Sequence, residues 1–150
     1  HCAILMDAPR QPDGPPIRDG LPYSRIAHLA EDVRPFVAID GMLREAGLSA
    51  PEIFAADLDA GLLLIEDLGA DVFGAALANG ASQEALWTAA TDVLVAMRRS
   101  HVPRSIGIGY GAAHTLPDFD HRALSIETEL FIDWYWPASH GIPPPPEVRA

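Results

Sequence analysis

The sequence predicts an α+β protein, or two lobes of unlike content, and three observations carry that reading. Short apolar runs bounded by turn residues fill the first part of the chain. Helical spacing dominates from Asp71 onward. The order is strand, helix, strand, strand, then helices only. No internal repeat interrupts it.

Each element has a local reason. Residues 3–7 (Ala-Ile-Leu-Met-Asp) form a continuous apolar run ended by Pro9, which predicts a short buried strand. Residues 9–31 follow as a long connection rich in Pro and Gly, with a helical turn near Tyr23. Asp32 is placed to cap a helix over 32–46, with Pro35 in its first turn and Gly47 as the stop. Residues 52–56 and 61–66 read as an antiparallel hairpin, with turn chemistry from Asp57 to Gly61. The second of these strands is apolar at four successive positions, which predicts burial on both faces. A short helix over 71–79 ends at Asn79-Gly80. Ser82 caps a longer one, with Leu86, Trp87, Ala90, Val93, Leu94 and Met97 on its apolar face. The last helix, about 120–136, is apolar nearly all round, which predicts burial.

Composition excludes several partners. The 150 residues carry a net charge of -11, and all ten basic residues are Arg. Nucleic acid and anionic membrane surfaces both need cations the chain lacks. No apolar run approaches a membrane span and none reads as a signal peptide. The single cysteine, Cys2, forms no internal disulfide; a reducing, cytoplasmic setting is expected. An all-arginine basic set also predicts a GC-rich bacterial genome.

Some local words have bland readings that outweigh the sharp ones. Residues 107–112 match G-x-G-x-x-A, yet Pro103 precedes them and Pro117 follows, so an inter-helix loop is expected rather than a dinucleotide fingerprint. His114, Asp118, Asp120 and His121 fit no strong metal template; Asp120 is expected to cap a helix. Glu129 and Asp133 lie one turn apart on an apolar helix and need partners, either a sugar hydroxyl or a structural Arg. Trp134 and Tyr135 are expected in the core rather than as a stacking platform.

Several longer words then carry a resemblance. They are Ala3-Ile4-Leu5-Met6-Asp7-Ala8-Pro9, Val33-Arg34-Pro35-Phe36, the stretch from Leu43 to Pro51, Leu63-Leu64-Ile65-Glu66-Asp67-Leu68-Gly69, and Glu129-Leu130-Phe131-Ile132-Asp133-Trp134-Tyr135. Together they resemble the aminoglycoside-phosphotransferase family, most closely its branch of N-acetylmuramate/N-acetylglucosamine anomeric kinases of cell-wall recycling. The resemblance implies a protein-kinase-like two-lobe fold, incomplete here. Residues 1–69 would be part of the small nucleotide-binding lobe and hinge, and 70–150 the start of the helical substrate lobe. Glu66, Asp67 and Leu68 would form a hinge whose backbone pairs with adenine. Ile4, Met6 and Ile65 would border the nucleotide, and Glu129 and Asp133 the acceptor. ATP and Mg²⁺ are the implied cofactors.

The departures are equally specific. The strand at 3–7 offers Met6 or Asp7 where kinases carry a phosphate-holding Lys, and the chain has no Lys. Pro35-Phe36 stands where the helix Glu is sought, so Arg34 is the nearest candidate cation. None of the six His is followed two places later by Asp, so the catalytic His-x-Asp loop is absent and no residue here is assigned to catalysis. By resemblance that loop would follow residue 150 and the glycine-rich strand pair would precede residue 1. The expected function is therefore a piece of an ATP-dependent phosphotransferase for a small-molecule hydroxyl, inactive by itself. The alternatives are a non-catalytic nucleotide- or partner-binding module on a kinase-like scaffold, and an unrelated acidic interaction domain.

Overall fold

The computed structural model describes residues 2–109 and 111–149. By internal contacts they divide into two units, His1–Arg10 with Asp32–Leu116, and Gln11–Glu31 with Pro117–Ala150. The lobe boundary expected at 69/70 falls inside the first of these.

The first unit is built on a three-stranded antiparallel sheet. Strand β1 (Ala3–Asp7) pairs with β5 (Leu62–Glu66), which pairs in turn with β4 (Ile53–Asp57). The β4–β5 turn ends at Gly61, whose φ is +74°. A Cβ at Gly61 would sit 2.5 Å from both the Ala8 carbonyl oxygen and Pro9 Cα. The Ala8 N–H donates to the Gly61 carbonyl at 2.9 Å, so this turn is sewn to the exit of β1. Only a glycine fits there, because both the left-handed backbone and the close approach exclude a side chain.

Helix α2 (Arg34–Glu45) has Val33 as its N-cap, one residue past the expected Asp32, with no side-chain cap hydrogen bond. Pro35 lies in its first turn, and Asp32 Oδ1 accepts from the Arg34 N–H at 2.8 Å. Gly47 stops it at φ +74°, with the Leu48 N–H returning to the Leu43 carbonyl at 2.9 Å. Ala38 of α2 packs on Ile106 and Ile108, with Leu58 and Leu116 around them. Those two isoleucines belong to β6 (Ser105–Gly109), which pairs with β7 (Ala112–Thr115). Gly107, Gly109 and Ala112 of the G-x-G-x-x-A motif thus lie in two paired strands, not in the expected inter-helix loop. The alternation Ser-Ile-Gly-Ile-Gly, a period of two, is the signal that marks the first strand. Tyr110 of that motif lies outside the described residues, as do His1 and Ala150.

Helices α3 (Phe73–Ala78) and α4 (Gln83–Arg99) complete the first unit. Ser82 caps α4 as expected, its Oγ accepting from the Ala85 N–H at 3.3 Å. The apolar face of α4 is not buried, however; Leu94 is 64% exposed. The same correction applies to the sheet. Leu63 is fully buried, but Leu5 is 65% exposed and Leu64 is also open, so burial on both faces does not occur. A sheet buries two faces only where a layer packs on each, and the described residues of this unit supply too few layers.

In the second unit the 9–31 connection has structure of its own. Strands β2 (Pro16–Arg18) and β3 (Leu21–Pro22) form a hairpin around Asp19 and Gly20, both at positive φ. That is the two-residue turn that Asp-Gly favours, and the dipeptide is legible in the sequence. The short helix α1 (Tyr23–Ile26) follows, and Ile26 and Ala27 pack on Ile126 of α5 (His121–Leu130). Asp120 caps α5, accepting from the Ala123 N–H at 2.9 Å. The helix expected to run on to Trp136 changes character instead. Residues Phe131–Tyr135 form a π-helical turn, and α6 (Trp136–His140) and α7 (Pro146–Arg149) follow. Trp134 and Tyr135 are exposed rather than in the core, because no described element of this unit covers that side. Among the described residues no helix is long and apolar enough to cross a membrane.

Candidate functional site

Antiparallel pairing decides which side chains share a face. Ile4 lies opposite Ile65, and Met6 opposite Leu63. Residues two apart on a strand face the same way, so Ile4, Met6, Leu63 and Ile65 line one side of the sheet. The three residues expected to border a nucleotide are thereby brought together. Ile4 remains 46% exposed, which leaves an apolar surface open to a flat ring.

Glu66 ends β5, and its side chain is locally engaged. Glu66 Oε2 accepts from the Glu52 N–H at 3.0 Å, and the Glu66 N–H donates to the Glu52 carbonyl at 2.8 Å. Asp67 Oδ1 accepts from the Gly69 N–H at 2.8 Å, which folds the chain into a tight turn. Gly69 adopts φ +82° within it. Leu68 projects outward, and its backbone enters neither of the hydrogen bonds that shape this turn. The two acids therefore fix the backbone, and Leu68 presents it.

This end of the sheet fits a purine, which needs an apolar face and backbone donors and acceptors. The residues do not equally fit a triphosphate. Arg34, the nearest candidate cation, is held by Asp59 at 2.6 Å and Asp32 at 3.2 Å. Among the described residues no group of three or more His, Cys, Asp and Glu side chains gathers as a metal site.

The acceptor-side candidates lie in the second unit. Glu129 on α5 receives both terminal nitrogens of Arg18, at 2.5 and 3.2 Å. Of the two kinds of partner open to Glu129, the structure supplies the arginine. Asp133 sits one turn on, exposed in the π-helical turn. The same segment that carries Arg18 makes three further polar links. Tyr23 donates its hydroxyl to Glu127 at 2.6 Å, and Arg122 donates to Asp19 at 2.8 Å. His28 Nε2 lies 3.7 Å from Asp120. Hydrogen bonds set the directions of titration here, one made by a neutral hydroxyl and one by a carboxylate. The Tyr23 hydroxyl is held above its usual value, first by Glu127. The Asp120 carboxyl is held below its own, first by the Ala123 N–H. None of these partners was legible in the sequence, because they lie about a hundred residues apart.

No family model matches the chain. Its relatives are kinases. A protein of Caulobacter vibrioides named N-acetylmuramate/N-acetylglucosamine kinase is 37% identical over 132 residues, 87% of this chain and 36% of the relative. Proteins of the same name from Pseudomonas aeruginosa and Pseudomonas putida are 38% and 33% identical over 75% and 90% of this chain. Those matches span 30% and 31% of the relatives. The chain thus spans about a third of the length of the curated relatives it matches.

Proposed function

We propose that this chain is part of an ATP-dependent phosphotransferase acting on a hydroxyl of an amino sugar, in the manner its relatives' names describe. The single observation that carries the reading is identity above 30% across most of the chain to three proteins so named. The sheet supports it. Its β1–β5–β4 pairing, with Ile4, Met6 and Ile65 on one face and Leu68 at the strand exit, suits adenine. In this reading ATP, with Mg²⁺, supplies the phosphoryl group and the charge neutralisation. The residues present do the binding. Ile4 and Ile65 offer apolar contact, Glu66 and Asp67 hold the hinge backbone, and Glu129 and Asp133 lie on the acceptor side. The fold proposed is that of a two-lobe kinase, with residues 1–69 on the nucleotide side and 70–150 opening the acceptor side, in a cytoplasmic bacterial protein. No His-x-Asp pair occurs in the sequence, so these 150 residues by themselves are expected to transfer no phosphate.

No observation favours a non-catalytic module. The test is to express the protein from its whole reading frame and incubate it with labelled ATP, Mg²⁺ and N-acetylglucosamine or N-acetylmuramate. Labelled sugar phosphate is the expected product. A folded, ATP-binding protein that labels neither sugar would refute the assignment.

A further inference from the structure

The segment between β1 and α2 closes on itself. The Gln11 N–H donates to the Glu31 carbonyl at 3.0 Å and joins the two ends of the loop. Inside it, Arg25 bonds Asp13 at 3.0 Å and lies 3.8 Å from Glu31, bracing one flank against the other. The loop surrounds a cleft of about 380 Å³, within the usual range for small-molecule sites. Pro15, Ile17 and Leu29 give it an apolar wall, and Tyr23, Ser24 and Glu31 add polar groups. Ile17 and Leu29 are both exposed, although apolar. Ser24 Oγ and Glu31 Oε1 are shielded from solvent and have no hydrogen-bond partner.

We propose that this cleft binds a neutral, hydroxyl-bearing ring, a pyranose of the amino-sugar class; the choice of sugar rests on the function proposed above. Glu31 is the charged side chain in this lining, so a phosphate or carboxylate ligand meets negative charge. Arg25 is hydrogen-bonded to Asp13 at 3.0 Å and reaches Glu31 only at 3.8 Å, which leaves Glu31 Oε1 to accept hydrogen bonds from a ligand. A buried carboxylate oxygen and a buried hydroxyl without partners are unfavourable. A small turn of either side chain into the cleft lets a sugar hydroxyl or amide N–H satisfy it. The C–H face of a pyranose complements the wall of Pro15, Ile17 and Leu29.

The test is a titration of the whole chain with N-acetylglucosamine, followed by amide chemical shifts. The expected result is saturable binding in the millimolar range, with shifts centred on residues 11–31. Leu29→Trp, which fills the cleft, should weaken binding about tenfold or more, with an unchanged far-ultraviolet circular dichroism spectrum. Glu31→Gln should weaken it about tenfold through loss of a charged acceptor. The 6-phosphate of the same sugar should bind more weakly than the neutral form. Shifts confined to other residues and indifferent to both substitutions would overturn the cleft. So would no binding at all, or tighter binding of the phosphate. Each of these leaves the phosphoryl-transfer assay of the whole protein to judge the proposed function separately.

Discussion

Replacing Gly61 with alanine isolates how tightly the sheet is stitched at one corner. Two separate penalties apply. A non-glycine residue at φ +74° is disfavoured by roughly 1–2 kcal/mol. The new Cβ would also lie 2.5 Å from the Ala8 oxygen and Pro9 Cα, and backbone cannot swing aside as a side chain can. Overpacking of that kind costs about 1–3 kcal/mol. The sum, about 2–5 kcal/mol, is a large fraction of an ordinary domain's stability of about 5–15 kcal/mol. Gly47→Ala is the control. Gly47 has the same φ of +74° but open space where its Cβ would go, so it bears the conformational term alone. Urea unfolding followed by circular dichroism reads the difference. With a slope of about 2 kcal/mol per molar, Gly61→Ala should lower the midpoint by roughly 1–2.5 M, and Gly47→Ala by less than about 1 M. Equal midpoint shifts for the two variants would refute the packing argument.

Three further predictions concern charge and recognition. Asp40 is buried on α2 with Oδ1 unpartnered, and burial pushes its carboxyl above the usual value, opposed by Arg44 one turn on. A raised folded-state pKa means the native state binds the extra proton. Its penalty is absent below the unfolded pKa and grows as pH rises through the folded one. Asp40→Asn should therefore raise the urea midpoint relative to the parent at neutral pH and lose that advantage toward pH 4; an advantage that grows on acidification would contradict this. The Arg18–Glu129 pair is partly exposed, so its coupling in a double-mutant cycle should be small and fade in high salt. A coupling that salt does not weaken would indicate a buried pair. Leu68→Pro removes a backbone donor from the strand exit and should weaken binding of a fluorescent ATP analogue to the intact protein. Unchanged affinity would remove Leu68 from the hinge assignment.

Local grammar was legible in the sequence where neighbours decide the structure. Ser82 and Asp120 cap their helices, Gly47 stops α2, and the 3–7 and 61–66 runs become strands. Two strand pairs went unread because a more prominent signal lay beside each. The prolines around Asp19-Gly20 suggested a long connection with only a helical turn near Tyr23, and the glycines at 107–111 suggested a loop, although Ile106 and Ile108 alternate at strand spacing. Burial failed for a different reason. A periodic apolar stripe on α4 or around Trp134 states a preference, whereas burial needs a second surface, and sequence pattern does not supply one. Of the candidate site, the face shared by Ile4, Met6 and Ile65 follows from strand periodicity once the register is known. The link of Arg18 to Glu129 does not, since only the fold brings residues so distant in sequence together.

The bond between Gln11 and Glu31 has a bearing on how such a chain varies. An excursion whose two ends meet is a detour, and the path from β1 to α2 is complete without it. Lengthening a detour is thermodynamically mild, since doubling a flexible loop adds only about 0.6 kcal/mol of closure entropy. The length of this excursion is therefore free to vary among relatives at little thermodynamic cost.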